Sequence, residues 1–171
     1  NKKAYVVIED GIESCYNKTL SRINRGHTFE DSVKAITETS KRGIRTVGHM
    51  IIGLPGESRE EILEEAKILS DLPLDNLKFH QLQIVKGTSL SVDYQLNPYN
   101  YKQYSLNEYL ELMLEFMEQL NPSIVIERIA GETVPEFNMR PSWGLRYDQI
   151  LQQFEALLEK KDTWQGKKWK A

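Results

Sequence analysis

"HMIIGLPGES", residues 49–58, decides how the rest of this chain is read. His49 opens it, Met50, Ile51 and Ile52 form an apolar run, and Gly53-Leu54-Pro55-Gly56 turn the chain towards Glu57 and Ser58. A short apolar run bounded by turn residues suits a strand buried on both faces. Ser58, with Glu61 three residues later, has the spacing of a capping box and predicts a helix over 58–72. The stretch is therefore a strand, a turn and a helix. In parallel α/β sheets and barrels, ligands sit on the loops that follow the carboxyl ends of such strands.

The neighbouring segments repeat the unit. "AYVVIED" (4–10) reads as a strand buried on both faces, "NKTLSRIN" (17–24) as a short helix and "FEDSVKAITETSKRG" (29–43) as a longer one. Thr28 and Asp31 have N-cap spacing for that longer helix, and Gly43 follows its last turn. "IRTVGHMII" (44–52) is the second strand, and "NLKFHQLQIV" (76–85) a third that Gly87 stops. The order β-α-α-β-α-β implies parallel strands joined by right-handed crossovers. Beyond it, 86–105 reads as a polar loop with one turn of helix, and "LNEYLELMLEFMEQL" (106–120) as a long amphipathic helix. "SIVIERI" (123–129) is expected as a fourth strand, "AGETVPEFNMRPSWG" (130–144) as irregular, and "LRYDQILQQFEALLEKKD" (145–162) as a closing helix.

Composition narrows the classes. With 171 residues, 40% hydrophobic, 27% charged and a net charge of −3, the chain has the make-up of one globular domain with a real core. It carries no strong nucleic-acid signal; the short "KKWK" (167–170) reads as a solvated terminus. No apolar run reaches the length of a membrane span, and "NKKAYVVIE" at the start lacks a signal-peptide core. A lone cysteine, Cys15, excludes an internal disulfide and a multi-cysteine metal site in this chain, and fits a cytoplasmic setting. The start at Asn1, directly before a strand, reads as a cut from something longer.

Three strand ends can be compared, "IEDGIES", "IIGLPGES" and "QIVKGTSL". Each has a glycine, which lets a ligand approach the backbone, and hydroxyl or charged groups suited to diols. A phosphate loop is excluded at 53–58, because the Lys-Ser/Thr ending is missing and Glu57 would repel phosphate. Spacing alone still allows Pro55-Gly56 to be a plain turn and Glu57-Ser58 a plain helix start. His27, His49 and His80 lie far apart on different elements, which argues against a three-histidine metal site. Cys15 reads as a buried, inert thiol, and Arg25 as either a ligand or a partner for a helix carboxylate. Glu9 and Glu13, two residues either side of Gly11 at a strand end, need a ligand or an ion pair to offset their burial.

Together, "IEDGIES", "TLSRINRGH" and "HMIIGLPGES" resemble the second half of a radical S-adenosylmethionine (radical SAM) barrel. The nearest branches are the oxygen-independent coproporphyrinogen oxidases and elongator-type proteins. "RINRGH", "VKGTSL" and "DTWQGK" resemble the YhcC-type subgroup. The likeness covers almost the whole chain. It implies an α/β fold: the C-terminal portion of a partial (β/α) TIM-like barrel over 1–90, with an α/β extension over 91–171 packed on it. An incomplete barrel would leave a sheet edge and an apolar inner face open, which implies self-association.

The resemblance also assigns residues. The strand ending "HMIIG" would line the S-adenosylmethionine pocket, with Ile51 beside adenine and Gly53 and Leu54 bending the chain away. His49 falls where relatives contact ribose, and Arg25 where relatives pair with the methionyl carboxylate, a contact that suits a planar guanidinium. Glu13 stands where glutamine is more usual, Ser14 beside it could supply the missing donor, and Glu9 completes the set. The family's C-x₃-C-x₂-C loop, which holds a 4Fe–4S cluster through thiolates, has no counterpart here. The expectation is thus a part of a longer enzyme, with no metal ligands, no cofactor bound and no activity by itself. In the intact protein, one electron from the cluster would cleave the cofactor to methionine and a 5′-deoxyadenosyl radical, which abstracts hydrogen from an unknown substrate. A non-catalytic α/β domain binding a nucleotide or a protein partner is the alternative.

Overall fold

The computed structural model describes residues 4–132, 136–141 and 143–170. Its centre is a parallel four-stranded sheet, ordered β1 (Val7–Glu13), β2 (Arg45–Ile52), β3 (Asn76–Gln81), β5 (Val125–Arg128). Helices α1 (Asn17–Arg22) and α2 (Phe29–Ser40) connect β1 to β2, and α3 (Arg59–Ser70) connects β2 to β3. A short antiparallel pair, β4 (Ile84–Val85) with β6 (Asn138–Arg140), stands apart. Helices α4 (Ser89–Leu96), α5 (Leu106–Gln119) and α6 (Tyr147–Lys160) complete the chain. The architecture is α/β and matches part of a TIM-like barrel.

Local chemistry starts the helices where the sequence says. Thr28 with Asp31, Ser58 with Glu61 and Ser105 with Glu108 form reciprocal capping boxes at α2, α3 and α5. Period-two alternation then sorts each strand. Ile12, Met50, Ile52, Leu77 and Phe79 lie in one buried cluster with Ile62, Ala66 and Leu69 of α3 and Leu112, Met113 and Phe116 of α5. Phe79 meets Phe116 edge-on at 5.1 Å. Each such side chain contributes roughly 1.5–3 kcal/mol by leaving water.

Five expectations are corrected. β1 begins and ends three residues later than expected, so Glu13 closes the strand; as an edge strand, β1 is mostly half-buried and not buried on both faces. The third strand stops at Gln81, because β2 ends at Ile52 and β5 at Arg128, leaving no ladder partner beyond; Ile84 and Val85 pair with β6 instead. The 86–105 segment holds a two-turn helix, α4, capped by Thr88 on the Ser91 amide, and a 3₁₀ turn over Pro98–Asn100. The open sheet face is not apolar: Glu9, His49, Lys78 and His80 stand on it. The 130–144 segment, expected to be irregular, contains β6; its residues 133–135 and 142 lie outside the described residues. No helix among the described residues is long and apolar enough to cross a membrane.

Candidate functional site at the carboxyl ends of the strands

Where β1, β2 and β3 end, a cleft of about 730 Å³ opens. Its floor is Ile51 and Leu54, with His49 and His80 on one side. Leu82, Val85 and Leu90 form a second wall, and Arg22, Asp93 and Tyr101 close the far end. Tyr101 donates its hydroxyl to Asp93, which fixes α4 against the loop that follows it. The walls are mainly apolar, with polar groups at the two ends.

Glu13 is the junction of the near end. It lines the cleft in a left-handed conformation, φ 64°, which a non-glycine residue adopts only at a cost of order 1–3 kcal/mol. Burial pushes its carboxyl above the usual range, while Arg25, His49 and His27 pull the other way. Arg25 Nη2 lies 3.6 Å from Glu13 Oε1, too far for a tight pair. The guanidinium is held instead by the Gly11 carbonyl, which accepts from Nη2 at 2.9 Å and Nε at 3.3 Å. Only glycine permits this: a Cβ at position 11 would stand 2.3 Å from Nη2.

A charged ladder supports the open face. Glu9 accepts from Lys78 Nζ at 2.7 Å and meets His49 Nε2 at 2.7 Å, and Lys78 also reaches Glu127 at 3.2 Å. The Lys78 bond, then the His49 bond, hold the Glu9 carboxyl below its ordinary range. His49 and His80 stack with ring centroids 6.0 Å apart, which corrects the expectation that they are distant. Burial, then the nearby side chains of Arg128, His49 and Lys78, lower the basicity of His80. Among the described residues no three His, Cys, Asp or Glu side chains are grouped as a metal site needs.

The structure brings Glu13, His49, Ile51 and Leu54 to the cleft, with Arg25 beside Glu13 and Glu9 behind His49. Two assigned residues stand elsewhere. Ser14 is fully buried and donates to Glu57 Oε1 at 2.6 Å. Gly53, at φ 90°, turns the chain beside the Tyr104 ring and not against the cleft. Cys15 is buried, and burial followed by Glu65 and Glu57 pushes its thiol far up, so it is a poor thiolate. Sequence reasoning missed Lys78 and His80. Alternation in "KFHQ" was the available signal, because residues 78 and 80 share a face with 49 and 51 once the register is known. Arg22, Asp93 and Tyr101 had none, since the loop fold alone brings them together.

The model of the Radical SAM superfamily matches residues 2–69, and that of the Radical_SAM C-terminal domain residues 74–160. An uncharacterized protein of Methanocaldococcus jannaschii is 41% identical over 160 residues, covering 93% of this chain and 49% of the relative. YhcC of Escherichia coli is 30% identical over 138 residues, covering 81% of this chain and 44% of the relative. The fold is similar to archaeal Elp3 of Methanocaldococcus infernus, with a TM-score of 0.80 at 22% identity, covering 94% of this chain and 37% of that one. The chain spans about half the length of the curated relatives it matches.

Proposed function

Since the chain belongs to the radical SAM superfamily, we propose that in the intact protein its cleft binds S-adenosylmethionine for reductive cleavage, with a substrate still to be identified. The observation that carries this reading is the loose Glu13–Arg25 pair at the rim of an apolar cleft. A methionyl group is a zwitterion, and two opposite charges 3.6 Å apart, neither fully committed to the other, complement one. This also accounts for glutamate where glutamine is usual, because Glu13 can accept from the ligand's own ammonium.

The remaining residues fit the same ligand. Ile51 and Leu54 offer apolar surface to a purine. Glu9 holds His49 by Nε2, and the ionised carboxylate there accepts a hydrogen bond from that nitrogen. Nδ1 is then left to accept from a ribose hydroxyl. Reduced by one electron, the bound ligand supplies the carbon-centred radical chemistry of the family. The residues do not fit the 4Fe–4S cluster: Cys15 is the chain's only cysteine, and it is buried. We assign the cluster, and the cleavage step itself, to the part of the intact protein outside this chain. The pairing of β5 beside β3 supports reading residues 91–171 as an extension packed on the barrel portion and not independent of it.

The test is S-adenosylmethionine affinity by calorimetry in the full-length, cluster-loaded protein. Removing a charge-assisted contact of roughly 1.5–3 kcal/mol should weaken binding about tenfold to a hundredfold in Arg25→Ala. Arg25→Lys keeps the charge without the fork and should recover only part. Unchanged affinity in Arg25→Ala with intact folding would overturn the reading.

A further inference from the structure

Behind Glu13, the chain meets two carboxylates with no cation bound to either. Glu65 on α3 is fully buried; its Oε1 accepts from the Cys15 amide at 2.8 Å and its Oε2 has no partner. Glu57 accepts from the Ser14 hydroxyl at 2.6 Å through Oε1, and its Oε2 is also unpartnered. Ser14 Oγ accepts from the Tyr16 amide at 3.0 Å, and Glu65 holds the amide of the very next residue, Cys15. Lys18, whose charge reaches Glu57, is taken by Glu61. Arg59 and Lys102, which line a hollow with Glu57, are paired with Glu115 and Glu108. Glu61, Glu64, the Cys15 thiol and the phenols of Tyr16 and Tyr104 are the other titratable groups around the two carboxylates.

A fully buried carboxylate beside a half-buried one ionises only at a high cost when no cation pairs with either. A serine hydroxyl has one proton to give and two lone pairs to fill. Ser14 gives its proton to Glu57, and one lone pair takes the Tyr16 amide, so the other is free for one more donor. We propose that Glu65 holds a proton and donates it from Oε2 to Ser14 Oγ, making a Glu65–Ser14–Glu57 tether that positions the turn after β1. Every polar atom of Ser14 is then satisfied, as is Glu65 Oε2. Burial, then Glu57, raises the Glu65 carboxyl well above its ordinary range, in the same direction.

The tether grips Ser14 and Cys15, the two residues directly after the left-handed Glu13. Under the S-adenosylmethionine reading, Glu65 and Glu57 are therefore positioning residues for the Glu13 carboxylate. Their own protonation and hydrogen bonds stand apart from that reading.

The test uses the full-length protein. In wild type, the Glu65 carboxyl carbon should give the chemical shift of a protonated acid at neutral pH, whereas Glu61 should be ionised. A folded-state proton that the unfolded chain has lost makes stability fall as pH rises above the ordinary carboxylate value. Glu65→Gln keeps the acceptor and the donor without titrating. Its folded-to-unfolded ratio relative to wild type should thus rise about tenfold per pH unit until Glu65 ionises in the folded protein. Exchange of the Cys15 amide should stay slow in Glu65→Gln and speed up about tenfold or more in Glu65→Ala. An ionised Glu65 in wild type at neutral pH, or a pH-independent stability difference, would overturn the proton. Unchanged Cys15 exchange in Glu65→Ala would overturn the tether. Failure of S-adenosylmethionine binding would move none of these readouts.

Discussion

Arg25 lies across Gly11 so closely that its Nη2 donates to the Gly11 carbonyl at 2.9 Å and fills the space a Cβ there would take, 2.3 Å away. The strand backbone, more than any carboxylate, fixes where the guanidinium stands. Gly11→Ala should leave the fold intact, because the obstructed atoms, Arg25 Nη2 and Glu13 Oε1 at 2.7 Å, are the ends of flexible side chains. It should still displace Arg25 from β1. We expect stability within about 1 kcal/mol of wild type and a loss of S-adenosylmethionine affinity in the full-length protein close to that of Arg25→Ala. Calorimetry on the single and double variants checks this, since two changes that remove one contact should not add.

Gln81 predicts a larger effect on stability. It is buried at the end of β3 and bonds Gly131 twice, Nε2 to the carbonyl at 2.9 Å and Oε1 from the amide at 2.8 Å. Replacement by leucine leaves the Gly131 amide without a partner, at about 1–3 kcal/mol, while the Gly131 carbonyl keeps the Gln83 Nε2 donor at 3.1 Å. The same loop abuts His80, whose Nδ1 would lie 2.2 Å from a Cβ at Gly131. Urea unfolding of Gln81→Leu should show the loss, and the His80 resonances should shift with it.

Much of this was legible before any coordinates. Capping boxes at Thr28 and Ser58 are local chemistry, written within four residues, so α2 and α3 start where the sequence places them. The end of the second strand at Ile52 follows from its apolar run, and the ligand site beyond the strand ends from the α/β rule. Ser14 escaped because one residue's turn after a left-handed Glu13 reverses its direction, and no pattern announces that. The split of 76–85 depended on where β2 and β5 end, which is a property of the neighbours and not of the segment. α4 was hidden because "SLSVDYQL" has no clear apolar stripe and only Ser91 buried; it is held by Thr88 and by the Asp93–Tyr101 contact instead.

The edge at β1 bears on association. Tyr5, Val6 and Ile8 are exposed there, and the outer side of β1 has no strand partner among the described residues. Unpaired, apolar edges invite pairing with another chain. The 171-residue chain by itself should self-associate through this edge, and Val6→Lys with Ile8→Lys should suppress it. Light scattering over a wide concentration range checks both, and a wild-type monomer throughout would refute the edge as a contact.

Protonation of His80 supplies the last test. Its basicity is lowered in the folded protein, by burial first and then by Arg128, His49 and Lys78. The folded state therefore binds fewer protons than the unfolded one at pH values just below the ordinary histidine value. Stability is then present in full above that value and is lost as pH falls through it, levelling once His80 protonates in the folded state. His80→Gln removes this contribution, so its stability should decline less than that of wild type as the solution is acidified from neutrality. Glu65 acts with the opposite sign, losing stability as pH rises, so the two are separable in the double variant with Glu65→Gln. Denaturant titrations at several pH values should show the His80 difference on the acid side of neutrality. Parallel curves for wild type and His80→Gln there would mean that His80 is as easily protonated folded as unfolded, and that the stacked pair with His49 carries a charge.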